Sequence, residues 1–211
     1  MGIEVWAAWP SISEETSKRC NEAWKEKGYK TMVLMDGDKK PWTIGTDSHI
    51  LIPVWKGFPY AANTLCQTAL GKIVVLIGDD ILPDPQPAQE LAKRFLVLFP
   101  DTCGVVSPIG DKYGCINRCC IAPWIGRRFI QLAYQGKGPY HTGYYHYFSD
   151  EELQQYAIKK KAFHQWSDVS QYHNHWQRRN EQRPPHLLKA KSRWKEDKQL
   201  FEKRKKEGFP E

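Results

Sequence analysis

Short apolar runs alternate with segments of helical spacing through the first half of the chain. The runs are rich in Val, Ile, Leu and Met and end at turn residues, which predicts buried strands. Between them, apolar residues recur every three or four positions, which predicts amphipathic helices. The predicted strands are residues 3–8, 31–35, 49–54, 73–77 and 103–107, and the predicted helices begin near Ser11, Ala61 and Pro87. This alternation predicts an α/β domain with a largely parallel central sheet flanked by helices.

The second half of the chain has a different pattern, with short aromatic and Gly-rich stretches after residue 110. One helix is predicted over residues 149–161, and a single last helix after residue 185, with an apolar stripe at Leu187, Ala190, Trp194 and Phe201. Residues 178–211 hold 12 Lys/Arg against 6 Asp/Glu, a net charge of +6 out of the chain's +7. We therefore expect a globular domain over residues 1–176 and a basic helical C-terminal extension over residues 177–211.

Composition narrows the class of protein. A chain of 211 residues with 41% hydrophobic residues is long enough for one substantial core. No apolar run approaches the roughly 20 residues of a membrane helix, and the N-terminus lacks signal-peptide features, so we expect a cytoplasmic protein without a transmembrane segment. Cys115, Cys119 and Cys120 lie close together but form no CxxC pair, which favours buried thiols over a zinc site or a disulfide scaffold.

Carboxylates end two of the predicted strands. Asp36 follows the second strand, and Asp79 and Asp80 follow the strongly apolar run at residues 73–77. Ligands of open α/β sheets bind beyond the carboxyl ends of the strands. Adjacent carboxylates repel each other unless a cation compensates them, and Mg²⁺ or Mn²⁺ is typically held by one or two carboxylates plus substrate phosphates. A solvated turn that caps the strand is the structural alternative.

The residues around this acidic pair resemble the family-two glycosyltransferases. Residues 57–63 contain a Gly and an Asn at the start of a helix, residues 69–72 (Ala-Leu-Gly-Lys) close that helix, and residues 73–84 combine an aliphatic strand, Asp-Asp, an apolar pair and Pro. The resemblance implies the GT-A fold and transfer of a sugar from a nucleotide-diphosphate donor with inversion. It implies that Asp80 binds Mn²⁺ or Mg²⁺ and that Asp79 lies near the donor ribose.

The same resemblance suggests a donor site. Asp36 corresponds to the residue that holds the nucleobase, and a carboxylate can accept the imide N–H of uracil, which favours a UDP-type donor. Ala8 and Pro10, after the first strand, would flank the base. Asn63 is assigned to the donor site, and Arg127 could reach the diphosphate because guanidinium matches phosphate geometry.

Two further segments complete the resemblance. Residues 149–153 (Ser-Asp-Glu-Glu-Leu) resemble the family's Glu-Asp-x-x-Leu segment, which makes Asp150 the expected catalytic base and Glu151 the second candidate. An ordinary acidic helix start is the alternative. His173 or His175 corresponds to a late histidine that reaches the metal or the diphosphate, and a partly exposed structural histidine is the alternative.

Other functions stay open at this point. A nucleotidyltransferase that makes a nucleotide-sugar would share the fold, but the loop at residues 9–13 lacks the Gly of such enzymes. A nucleic-acid-binding module without catalysis would explain the basic extension. For a transferase, the acceptor would be a glycan or a hydroxylated DNA base, as in phage DNA-modifying transferases. The basic run could instead face an anionic membrane or be a solvated helix face.

Overall fold

The fold is organised around one mixed β-sheet. The computed structural model describes residues 2–37, 41–109 and 120–211. In chain order the strands of these residues are β1 (Val5–Ser11), β2 (Lys30–Asp36), β3 (Ser48–Ile52), β4 (Ile73–Leu76), β5 (Ile81–Leu82), β6 (Val105–Ile109), β7 (Trp124–Gly126), β8 (Phe163–Ser170) and β9 (Tyr172–His173). Within the described ranges seven strands form the central sheet, in the order β3-β2-β1-β4-β7-β6-β8, and β5 pairs with β9 in a separate two-stranded sheet.

Most neighbouring strands of the central sheet run parallel. β1 pairs in parallel with β2 and β4, β2 with β3, and β6 with β8, whereas β7 is antiparallel to both β4 and β6. All residues of β4 are buried, as expected for a strand covered on both faces. The prediction of a largely parallel sheet is therefore confirmed. The carboxyl ends of β1, β2 and β4 meet at one edge of this sheet.

Helices cover both faces of the sheet. In chain order they are α1 (Glu14–Glu26), α2 (Phe58–Thr68), α3 (Ala88–Leu98), α4 (Arg127–Leu132), α5 (Ser149–Lys159), α6 (Pro185–Ser192) and α7 (Trp194–Lys206), with a short 3₁₀ segment at Ala133–Gly136. Side chains alternate across β4, so Val74 packs in the core with α2, α5 and α7, and Val75 packs in the core with α1 and α3. Two hydrophobic cores therefore hold the sheet between them.

The predicted elements correspond to β1, β2, β3, β4 and β6 and to α1, α2, α3 and α5. The pattern missed β7, α4 and β8. β8 is an edge strand with two buried side chains, Trp166 and Val169, so it carries no aliphatic run. The predicted single last helix is wrong, because α6 and α7 are separate helices that meet at Arg193, and Trp194 is 39% exposed.

The basic C-terminal segment packs against the rest of the molecule. Phe201 of α7 stacks on Phe148 with ring centroids 5.3 Å apart. Arg204 forms an ion pair with Glu152 of α5, with Nη2 at 2.8 Å from Oε1, and the two side chains are 9% and 1% exposed. The hydroxyls of Tyr134 and Tyr144 also donate to the Glu152 carboxylate. The segment is helical, as predicted, and its inner face belongs to the main hydrophobic core.

The helices of the described ranges lack the features of a transmembrane helix. None of them combines the length and the apolar character that a membrane-spanning helix requires.

The buried ion pair generates a prediction for stability. Arg204→Met keeps the packing volume of the stem but leaves the Glu152 carboxylate buried without its cation, which we expect to lower the free energy of unfolding by about 3–5 kcal/mol. Urea denaturation of the purified protein measures this loss. Lys203→Met, at the neighbouring exposed position, is the matched control and should change stability by less than about 0.5 kcal/mol. Equal effects of the two substitutions would contradict the assignment.

Candidate active site

The Asp79-Asp80 pair lies in the turn that leaves β4. Ile77 donates its backbone N–H to the Ala8 carbonyl at 3.0 Å, which extends the alignment of β4 with β1 up to the turn. Ile81 then closes the turn by donating to the Gly78 carbonyl at 3.2 Å. The chain enters β5 directly afterwards, so both carboxylates are held at the carboxyl edge of the sheet.

The small β5–β9 sheet brings a histidine to Asp80. Ile81 is opposite His173 in the antiparallel register, and the backbone N–H of Asn174 donates to the Asp80 carbonyl at 2.7 Å. As a result, Nε2 of His173 lies 3.2 Å from Oδ2 of Asp80. His175 packs edge-on against the His173 ring, with centroids 5.0 Å apart, and its Nδ1 accepts the backbone N–H of Gln177 at 3.3 Å. Of the two histidines expected near the pair, His173 is in contact with Asp80.

Asp79 is held by hydroxyl groups of the β1–α1 connection. Its Oδ2 accepts a very short hydrogen bond from Oγ of Ser11 and a 3.0 Å hydrogen bond from Oγ1 of Thr16. Burial raises the pKa of Asp79, the two hydroxyls lower it, and the neighbouring charge of Asp80 raises it. The sequence analysis did not identify Ser11 or Thr16 as site residues. Their signal is the polar, Gly-free segment after the first strand, whose Ser13 caps α1 by accepting the backbone N–H of Thr16.

The expected base-binding residues divide into two groups. Pro10 and Asp36 are partly exposed near the carboxyl ends of β1 and β2, where Pro10 is paired with Leu34, so both are at the same edge as Asp79. Ala8 is fully buried. The expectation that Ala8 flanks the base is corrected, because β1 continues to Ser11 and keeps Ala8 inside the core.

Asn63 does not face a donor site. Its amide makes two hydrogen bonds to the backbone of Tyr140: Nδ2 donates to the Tyr140 carbonyl at 2.8 Å, and Oδ1 accepts the Tyr140 N–H at 2.9 Å. The side chain is 4% exposed, and both its nitrogen and its oxygen bind the backbone of Tyr140. The expectation of a donor-binding Asn63 is corrected to a structural role on the loop that precedes α5.

Arg127 is also a structural residue. Its guanidinium donates to the carbonyls of Cys66, Ala69 and Gly71, at 2.7 Å to Cys66 and 2.9 Å to Gly71. These carbonyls belong to the end of α2 and the turn before β4, at the amino end of that strand. The expected contact of Arg127 with a diphosphate beyond the carboxyl end of β4 is therefore corrected.

Asp150 stands in the first turn of α5, behind a left-handed residue, Phe148 (φ 65°). Burial raises the pKa of the Asp150 carboxyl to about 7; the hydroxyl of Tyr140 opposes this shift and the charge of Glu151 adds to it. A carboxylate with a pKa near neutrality can take a proton and release it again at physiological pH. Glu151 is partly buried beside it.

The C-terminal segment contributes a histidine that the sequence analysis missed. Desolvation lowers the pKa of His186, in the first turn of α6, and the charges of the nearby Asp79 and Asp80 oppose this shift. Burial lowers the pKa of His146 to about 4, and His186 contributes to this shift. His186 thus connects the Asp79-Asp80 turn with the loop before Asp150. No motif surrounds it in the sequence, so its role depends on the packing of α6.

The loop before Asp150 is fixed by one carboxylate of α7. Asp197 is 3% exposed and accepts the backbone N–H groups of Tyr145, His146 and Tyr147 at 2.8–2.9 Å. Three N–H groups that donate to one buried carboxylate stabilise its negative charge in place of a cation. The basic segment therefore orders the loop through one of its few acidic residues.

The donor set at the turn fits a hard cation that is shared with a substrate. Within residues 2–37, 41–109 and 120–211, no three His, Cys, Asp or Glu side chains are grouped as a complete metal site. Asp80 and His173 offer one carboxylate oxygen and one imidazole nitrogen. Mg²⁺ and related ions often take the remaining oxygens from substrate phosphates and water.

The cysteines of the described residues are free thiols. Among the described residues, Cys20, Cys66 and Cys120 are buried free thiols and Cys103 is a partly buried one. Cys115 and Cys119 lie outside the described residues.

Comparison with known proteins identifies the fold. No family model and no curated protein sequence matches this chain. Among solved structures, it is similar to the mannosyltransferase PcManGT from Pyrobaculum calidifontis in complex with GDP-Man and Mn²⁺, at 19% identity and a TM-score of 0.57, over 82% of this chain and 57% of that chain. It is also similar to S. aureus TarS 1–349 in complex with UDP, at 10% identity and a TM-score of 0.59, over 81% of this chain and 60% of that chain.

These similarities establish that the chain has the GT-A fold, a mostly parallel central sheet flanked by helices. The chain spans less than two thirds of the length of either of these structures.

Proposed function

We propose that this chain is a metal-dependent glycosyltransferase that moves a sugar from a nucleotide-diphosphate donor, of the UDP type, to an acceptor hydroxyl with inversion. The observation that carries the proposal is the placement of two chemical groups on a GT-A fold. Asp80 and His173 face each other at 3.2 Å beyond β4, and Asp150 has a pKa of about 7 at the start of α5.

The strand ends support a nucleotide-sugar donor. Pro10, Asp36 and Asp79 are at the edge where α/β sheets bind ligands. In this proposal Asp36 accepts the imide N–H of uracil and Asp79 lies near the ribose. The similar structures hold GDP-Man with Mn²⁺ and UDP respectively, which agrees with a nucleoside diphosphate at this position.

In the proposed mechanism Asp80 and His173 would hold a divalent metal, Mn²⁺ or Mg²⁺. When bound, the ion neutralises the charge that develops on the diphosphate leaving group. Asp150 takes the proton of the acceptor hydroxyl while the hydroxyl oxygen bonds to the anomeric carbon. The bond from that carbon to the diphosphate oxygen breaks, and its electron pair leaves with the diphosphate. Because the hydroxyl attacks from the face opposite the diphosphate, the configuration at the anomeric carbon is inverted.

The first prediction concerns donor binding. UDP or UDP-glucose together with Mn²⁺ should raise the melting temperature, since a ligand at 100 times its Kd stabilises the fold by about 2.7 kcal/mol. Asp80→Ala should remove the metal-dependent part of this shift, because it removes the carboxylate ligand. Differential scanning fluorimetry with UDP, GDP and the two sugar nucleotides UDP-glucose and GDP-mannose measures the effect.

Glu22→Ala is the control for this experiment, because Glu22 is an exposed acidic residue on α1. A shift that is equally large in wild type and Asp80→Ala would place the metal elsewhere. Stabilisation by UTP and a sugar phosphate, without any effect of UDP, would favour a nucleotidyltransferase instead.

The second prediction concerns the base. Asp150→Asn should lower the rate of sugar transfer, or of donor hydrolysis with water as acceptor, by about 10²–10⁴-fold and leave the metal-dependent thermal shift unchanged. The base must be unprotonated, so kcat/KM of the wild type should fall as the pH drops through about 7, the pKa of Asp150. Release of UDP from UDP-glucose, followed between pH 5.5 and about 9, measures both. If Glu151→Gln abolishes the rate and Asp150→Asn does not, Glu151 is the base.

The exposed face of α7 favours an anionic acceptor. Asp197, Phe201 and Arg204 point into the molecule, so the lysines of α7 face solvent: Lys195, Lys198, Lys203, Lys205 and Lys206. Because Asp197 ties α7 to the loop before Asp150, this basic face has a fixed position relative to the proposed base. We propose that it contacts the phosphates of a nucleic acid whose hydroxylated base is the acceptor, and a glycan is the alternative acceptor.

The third prediction tests this basic face. The combined substitution of Lys198, Lys203 and Lys206 by alanine should weaken binding to a DNA duplex, with the slope of log K against log salt reduced by about one for each lysine that contacts a phosphate. Fluorescence anisotropy with labelled DNA at several salt concentrations gives the slope. The matched control removes three exposed lysines from other surfaces, Lys18, Lys72 and Lys93. Equal slopes in the two variants, or no binding to DNA, would leave the glycan as the acceptor.

A further inference from the structure

The hydroxyl of Tyr140 is a buried polar group on the loop before α5. The side chain is 1% exposed, and none of the described residues makes a hydrogen bond of full geometry with its Oη. Within these residues, Oη of Tyr29 is another buried hydroxyl of this kind. Folded proteins rarely leave a buried hydroxyl unpaired unless it has a further role.

The backbone of Tyr140 is held in place from α2. Both hydrogen bonds of the Asn63 amide go to the N–H and the carbonyl of Tyr140. Gly138 lets the loop approach, since it has φ +110° and a Cβ there would lie 2.6 Å from the Asn63 side chain. Phe58 packs edge-on against the ring, with centroids 5.6 Å apart. The direction of the hydroxyl is therefore fixed before any ligand binds.

The hydroxyl faces Asp150. After burial, the charge of Asp150 is the largest influence that raises the pKa of Tyr140, and in return the Tyr140 hydroxyl lowers the pKa of Asp150. The other titratable groups around the pair are Glu151, next to Asp150 on α5, and the thiols of Cys120 and Cys66. Burial raises the pKa of both thiols, to about 12 for Cys66, so at neutral pH they carry no charge.

We propose that Tyr140 is a positioning residue for Asp150: held by Asn63, it donates to one carboxylate oxygen and leaves the other to take the acceptor proton. The role of the pair in transfer rests on the proposed function, whereas the contact between the two side chains does not. Hydrogen bonds of catalytic groups are often incomplete without substrate and tighten when the complex forms. Tyr140 keeps its proton throughout, because its pKa is raised well above the ordinary value of a tyrosine.

Tyr140→Phe tests the inference. The variant removes the hydroxyl and keeps the ring, so the protein should stay folded, which its melting temperature checks. Because the hydroxyl favours the charged carboxylate, its loss should move the pKa of Asp150 upward, as measured by ¹³C NMR titration of the Asp150 carboxyl without any ligand. Tyr29→Phe is the matched control: it removes another buried unpaired hydroxyl, beside Asp84 and not Asp150, and should leave the Asp150 titration unchanged.

The kinetic measurement separates the inference from the proposed function. In Tyr140→Phe the acid limb of the kcat/KM profile for UDP release from UDP-glucose should move to higher pH, with kcat lowered about tenfold and the donor KM unchanged, as for loss of one hydrogen bond to a charged group. An unmoved Asp150 titration in the folded variant overturns the inference whatever the activity. A shifted titration in a protein that turns over no nucleotide-sugar keeps the Tyr140–Asp150 contact and rejects the proposed function.

Discussion

The buried ion pair between Glu152 and Arg204 determines how the second half of the molecule is arranged. A carboxylate that is 1% exposed needs strong partners, and Glu152 receives the Arg204 guanidinium together with the hydroxyls of Tyr134 and Tyr144. These partners come from α7, the 3₁₀ segment and the loop before α5. Since Glu152 lies two residues after Asp150, the contacts that neutralise Glu152 also fix the turn of helix that carries the proposed base.

The central sheet could be predicted because its strands have a simple environment. Val74 and Val75 face opposite helical layers, so β4 is a continuous aliphatic run, and such runs mark strands in the sequence. The missed elements have mixed environments. β7 is three residues long, and β8, at the edge of the sheet, buries two side chains among polar ones. The division of the last helix at Arg193 also depends on packing that a helical periodicity does not encode.

For the candidate site, positions were easier to predict than contacts. The acidic turn after β4 was placed correctly because strand ends and turn residues are local signals, and His173 reaches Asp80 through the short β5–β9 pairing. Asn63 was assigned to the donor site by the family resemblance, and Arg127 because guanidinium matches phosphate geometry. Both instead satisfy backbone groups 56 to 77 residues away in the chain. His186 was missed for the same reason: the partners of a polar side chain depend on the tertiary structure.

Helix α2 is held by hydrogen bonds at both of its ends. At its start the N–H of Phe58 donates to the carbonyl of Tyr145 at 2.8 Å, and a side chain on Gly57 would come within 2.5 Å of that same carbonyl. At its end the guanidinium of Arg127 donates hydrogen bonds to carbonyls of the last helical turn and of the turn that follows it. A helix fixed in this way cannot pivot about either end. Because Tyr145 also donates its N–H to Asp197 of α7, one residue of the loop joins the start of α2 to the C-terminal segment.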